Sequence, residues 1–177
     1  MRKLLSIIFI LVLAGAAIYF FFFFQKQEQI AQVTNFEECV TAGNPIMESY
    51  PAQCHANGQT FTQDIGNEIE KMDLIQIIQP RPNTIVTSPL IIQGNARGNW
   101  FFEGTFEVYI LDENGTEIAR SFAQAQEDWM TENFVYYESK LIFEKPTTVK
   151  GTLVLEKQNA SGLPEHDDKL LVPVLFE

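Results

Sequence analysis

Thr105-Phe106-Glu107-Val108-Tyr109-Ile110-Leu111-Asp112-Glu113-Asn114-Gly115 is the stretch on which the fold turns. Phe106, Val108 and Ile110 fall on one face of an extended chain, while Thr105 and Glu107 fall on the other. Asp112 to Gly115 then supply the residues of a tight reversal. A half-buried strand ending in a turn is the reading, and the same pattern recurs on both sides. Val135, Tyr137, Leu141 and Phe143 alternate in this way, as do Val172, Val174 and Phe176. Short apolar runs at 74–78, 90–94, 106–111, 117–122, 135–143, 151–156 and 170–176 give about seven strands. They are broken by turn clusters such as Pro80-Arg81-Pro82-Asn83 and Asn159-Ala160-Ser161-Gly162. About seven strands over residues 74–177, without a long helical pattern, predict an all-β, immunoglobulin-like sandwich of two sheets. No cysteine occurs in this stretch, which excludes the inter-sheet disulfide of antibody domains and the tryptophan that packs on it.

Upstream, the chain changes character twice. The run from Leu4 to Phe24 contains no charge, and 21 helical residues span about 30 Å, the thickness of a bilayer's hydrocarbon core. Arg2 and Lys3 precede this run, which predicts a single-pass signal anchor over 1–24. Its N-terminus would be cytoplasmic, and residues 25–177 would lie outside the cell membrane. Cleavage at Ala14-Gly15-Ala16 is the rival reading, but it would leave Phe20 to Phe24 at a mature terminus in water. Residues 25–33 read as a polar stalk and 63–73 as an acidic linker.

Residues 34–62 read as a small α/β module. Thr34 and Glu37 fit a capping box opening a short helix, Gly43 is placed to end it, and Asn57-Gly58 marks a hairpin. The chain's two cysteines, Cys39 and Cys54, both fall here. In an oxidising compartment they are expected to pair, and closing a loop of that length contributes about 3 kcal/mol. A piece this small buries too little surface to fold well without a staple. The phrase from Phe36 to Phe61 resembles a module that recurs in bacterial membrane proteins.

The later half resembles a known family over its whole length. The residues that carry the likeness are Pro80-Arg-Pro-Asn-Thr-Ile85, Ser88-Pro-Leu90 leading to Gly94-Asn-Ala96, and Gly98-Asn-Trp-Phe-Phe-Glu-Gly104. Asp112-Glu-Asn-Gly115, Gln124-Ala-Gln-Glu-Asp-Trp-Met130, Gly151-Thr-Leu-Val-Leu-Glu156 and Ser161-Gly-Leu-Pro164 follow in order. The stretch is similar to the immunoglobulin-like domain of bacterial spore germination, the family found associated with GerMN domains. That resemblance implies a sandwich on the cell-envelope side with an interaction role.

Beyond position 25 the chain carries ten basic and 23 acidic residues, with no basic stripe, so nucleic acid and anionic lipid headgroups are repelled. No serine-hydrolase motif, phosphate loop or zinc-ligand spacing occurs. His55 sits in the two-cysteine module and His166 in a loop, and no enzyme, cofactor or metal is expected. Glu165, Asp167 and Asp168 beside His166 could offer calcium ligands, though a solvated acidic hairpin is the preferred reading. Glu103 is expected to accept backbone amides at a bend bracketed by Gly98 and Gly104.

Trp100, Phe101 and Trp129 are the candidate binding surface, for an envelope protein or, alternatively, a cell-wall glycan stacking on the rings. Strand alternation predicts Trp100 and Phe102 inside and Phe101 as the exposed ring. The function expected is a non-catalytic, membrane-anchored interaction module of the bacterial envelope.

Overall fold

The computed structural model describes Ile18 and residues 33–177. The apolar run from Leu4 to Phe24 and the stalk therefore lie outside the described residues, apart from Ile18 and Val33. Among the described residues no helix is long and apolar enough to cross a membrane. The chain forms two compact units that meet in sequence at Thr62 and Gln63.

The first unit contains helix α1 (Phe36–Thr41) and strands β1 (Ile46–Met47), β2 (Gln53–Ala56) and β3 (Gln59–Thr62), ordered β1-β2-β3 in one small sheet. Its capping differs by one residue from the expected box. Asn35 is the N-cap, its side chain accepting from the Glu38 amide, and Glu38 rather than Glu37 reaches back to the Thr34 amide and hydroxyl. Those two donors from Thr34 hold the Glu38 carboxyl below the usual carboxylate range. Gly43, at positive φ, follows the helix, and Asn57-Gly58, both at positive φ, turn β2 into β3.

Cys39 and Cys54 are fully buried and bonded, with Cα atoms 6.1 Å apart. Val33 and Ala56 complete the buried cluster, with Phe36, Val40 and Phe61 packed around it. So few apolar residues make the cross-link the main constraint on this unit. Replacing both cysteines by serine should remove about 2–4 kcal/mol of its stability. Hydrogen exchange should then accelerate across 33–62 and remain unchanged in the sandwich, and equal acceleration in both units would refute this division.

The second unit holds helix α2 (Glu68–Lys71) and strands β4 (Ile75–Gln79), β5 (Ile85–Val86), β6 (Leu90–Arg97), β7 (Thr105–Asp112), β8 (Glu117–Ala125), β9 (Phe134–Leu141), β10 (Lys150–Glu156) and β11 (Lys169–Phe176). The seven expected runs are all strands, and β5 is the addition. The order β4-β6-β9-β8-β7-β10-β11-β5 forms one continuous ladder rather than two separate sheets. It folds into two layers because β8 serves both: it pairs with β7 along its length and, through Gln124 and Ala125, with Glu138 and Tyr137 of β9. Phe106 of β7 meets Tyr137 of β9 edge-on at 4.9 Å across the interior, although their strands are not neighbours in the ladder. Ile75, Ile92, Val108, Ile110, Leu153, Leu155 and Val172 fill the same core.

Residues 63–73 are not a free connection. Ile65 is buried, and Asn67 lies against β11, its side-chain amide donating to the Lys169 carbonyl while its oxygen accepts from the Leu171 amide. Gly66 sits so close to β11 that a Cβ would come within 1.9 Å of the Leu171 carbonyl oxygen. Arg81–Glu68 and Lys71–Asp168 ion pairs add charge contacts between this segment and the sandwich.

Candidate functional site

At one end of the sandwich the loops after β6 and after β8 come together. A 3-10 turn, Gly98–Trp100, opens the first loop. Gly98 lies under the second loop, where a Cβ would stand 1.9 Å from the Thr131 carbonyl oxygen and 2.3 Å from that of Trp129. The helical turn breaks strand alternation, so Trp100 and Phe101 both point inward, with 0% and 4% of their surfaces exposed. Phe101 packs 5.3 Å from Phe106. Trp100 thus fills the core without any disulfide beneath it, and its buried indole nitrogen has no hydrogen-bond partner among the described residues.

The expected order of the rings is therefore corrected. Phe102, not Phe101, is the exposed one at 46%. Its backbone exchanges two hydrogen bonds with Thr105, 3.0 and 3.1 Å, around Glu103-Gly104. Both turn residues have positive φ, the geometry of a two-residue hairpin with a primed turn. Glu103 occupies the tip with its side chain in solvent; it makes the turn rather than gathering amides.

The candidate binding trio is split accordingly. Trp100 and Phe101 belong to the core, and Trp129 is half-buried, its ring 3.3 Å from the position a Cβ of Gly104 would take. The neighbouring Met130 is 77% exposed, and its amide is held by the Asp128 carboxylate. Phe102 and Met130 are the apolar surface that periodicity did not bring out. The signal available was that Met130 lies in a run, 126–133, whose other members apart from Trp129 are acidic or polar.

The acidic loop is bonded both within itself and to helix α2. Asp168 pairs with Lys71 at 2.6 Å, Asp167 accepts from the Asn159 side chain, and the His166 ring meets the Ser161 hydroxyl. Among the described residues no group of three or more His, Cys, Asp or Glu side chains is placed to hold a metal. His55 contacts Thr60 across the β2–β3 hairpin.

A further network covers the outer face of β7, β8, β10 and β11. Tyr109 donates to Glu156 and accepts from Lys169, and the Arg120 guanidinium lies 4.2 Å above its ring while pairing with Glu107 and Glu117. Burial, then the bond to Glu156, pushes the Tyr109 hydroxyl up, and the bond that Lys169 donates to the Tyr109 oxygen raises Lys169. Burial also raises the hydroxyl of Tyr137, which donates to the Gln76 carbonyl. All three groups hold their protons more tightly when folded. Their contribution is therefore complete below the ordinary Tyr and Lys range and is lost as pH climbs through the raised values. Urea midpoints should fall as pH rises above about 10, and a flat profile there would contradict the assignment.

The opposite end carries an open cleft of about 200 Å³ lined by Val86, Phe143, Pro146 and Phe176, with Lys145 and Glu177 at its walls. A family model described as the immunoglobulin-like domain of bacterial spore germination matches residues 74–162. No curated protein and no solved structure matches the chain.

Proposed function

Because the chain belongs to the family of the immunoglobulin-like domain of bacterial spore germination, we propose that it is a non-catalytic interaction module, displayed outside the cytoplasm from an N-terminal membrane anchor and binding another envelope protein. Immunoglobulin-like domains are a scaffold for recognition, and their role is decided by the site that each one carries. The observation that supports protein binding here is the loop end, where Phe102 and Met130 are exposed in the two loops that also carry half-buried Trp129. Exposed aromatic and Met side chains on a rigid scaffold are characteristic of interface cores. The glycan alternative needs both indole rings as stacking planes; with Trp100 in the core, that pair is not available.

The charge-free run from Leu4 to Phe24, with Arg2 and Lys3 before it, is the basis for the anchor and its orientation. Two measurements test the reading. Protease added to intact spheroplasts expressing the full chain should remove residues 63–177; full protection would refute the topology. A photo-reactive amino acid at position 102 should cross-link a protein in intact cells, whereas cross-linking only to wall glycan would replace this reading by the alternative.

A further inference from the structure

We propose that the loop end is a docking surface for a basic protein segment, in which an apolar side chain seats against Phe102 and Met130 while flanking Lys or Arg residues meet the surrounding carboxylates. This rests on the interaction-module reading and adds the chemistry of the partner. The two loops, 98–104 and 126–133, contain Glu103, Glu127, Asp128 and Glu132 and no Lys or Arg. All four carboxylates are exposed, and among the described residues none is in an ion pair. Arg97, the nearest cation in sequence, pairs with none of the four: it stacks 4.1 Å from the Phe134 ring and donates to the backbone carbonyls of Asp73 and, within the second loop, Glu132. The two loops thus carry net negative charge together with two exposed apolar side chains, Phe102 and Met130.

That combination selects its occupant. An anionic surface is repelled by the carboxylates, and a neutral apolar segment gains the apolar contact but leaves the carboxylates without a counter-charge. A segment carrying Arg or Lys gains both, because its cations can pair with the carboxylates and lie over the Trp129 and Phe102 rings. Long-range attraction would also speed encounter, in a salt-dependent way.

The surface is already ordered for binding. Reciprocal bonds close the Glu103-Gly104 turn, Asp128 caps Met130, the Thr131 amide bonds the Trp129 carbonyl, and Gly98 is in close contact with both carbonyls of the facing loop. Little conformational freedom remains to be lost on association.

The test uses the full chain in phosphatidylcholine nanodiscs as bait for a library of random phage-displayed dodecapeptides. Selected peptides should place Lys or Arg beside an aromatic or aliphatic residue and should weaken as salt is raised. Phe102→Ala and Met130→Ala, both at exposed positions, should each reduce their affinity roughly tenfold or more. Paired Glu127→Lys and Glu132→Lys changes should abolish binding. Peptides of neutral or acidic composition would overturn the proposal. So would basic peptides indifferent to these changes, although such binding elsewhere on the domain leaves the interaction-module reading standing. Attachment to phosphatidylcholine vesicles in place of peptides would overturn it as well, and a selection that yields no peptide at all counts against both.

Discussion

Gly94→Ala is expected to abolish the folded sandwich. The residue lies in the middle of β6 between Ile77 of β4 and Tyr137 of β9, and the Tyr137 ring crosses directly over it. A Cβ there would stand 2.1 Å from the Gln76 carbonyl oxygen, 2.3 Å from the Tyr137 hydroxyl and 2.6 Å from its Cζ. Neither neighbour can yield cheaply. Tyr137 is fully buried against Phe106, and its hydroxyl donates to that same Gln76 carbonyl at 3.1 Å. Making room would separate β4 from β6 or expel the ring, leaving a buried carbonyl without a partner. The combined cost of overpacking and a broken buried hydrogen bond is about 4 kcal/mol or more, close to the lower end of the whole stability of an ordinary domain. Far-ultraviolet circular dichroism at ambient temperature should show loss of the β spectrum. A cooperative unfolding curve within about 1 kcal/mol of the parent would show that the Tyr137 ring is not fixed over β6.

The second large effect separates two adjacent rings. Phe101→Ala should cost about 3–5 kcal/mol, because it empties a site packed against Phe106 in the centre of the core. Phe102→Ala, at a position 46% exposed beside a turn, should cost less than about 1 kcal/mol. Denaturant titrations of the two variants provide the comparison, and a larger loss at Phe102 would invert the placement of the loop.

This pair also marks where sequence periodicity stopped being informative. Alternation holds in a regular strand, and β9 and β11 follow it closely, so their inward residues were legible as a core. At Gly98–Trp100 the backbone winds into a 3-10 turn for one step. Trp100 and Phe101 then share the interior, and the expected order of the rings is shifted by one. Gly98 hints at a bend, but no local residue specifies its pitch; that comes from the facing carbonyls of Trp129 and Thr131.

The other differences have the same origin in long-range contacts. Strand β5 is two residues long and exists through parallel pairing with Leu175 and Phe176. Composition could not reveal it. Residues 63–73 are polar and acidic, the profile of a connection, yet Asn67 bonds backbone groups more than 100 positions away. The disulfide was legible because there were only two cysteines to pair. The candidate site was legible as a region but not residue by residue. Which side chains of an aromatic cluster reach solvent depends on turn geometry that composition does not encode.

The seating of Asn67 on β11 bears on how tension would travel through the molecule. If the N-terminal run is held in a membrane and a partner pulls on the loop end, force enters the sandwich along residues 63–67. It would not reach β4 first. It would arrive at β11, where the Asn67 side chain and the Gly66 backbone lie across the strand, and where the Asn83 amide grips the Pro173 carbonyl while its side chain holds that of Asp64. β11 pairs with β10 along seven residues. Load delivered there is shared by the whole ladder instead of peeling one edge strand bond by bond. The clip on β11 would therefore work as a strain relief, protecting the domain at the point where its tether arrives.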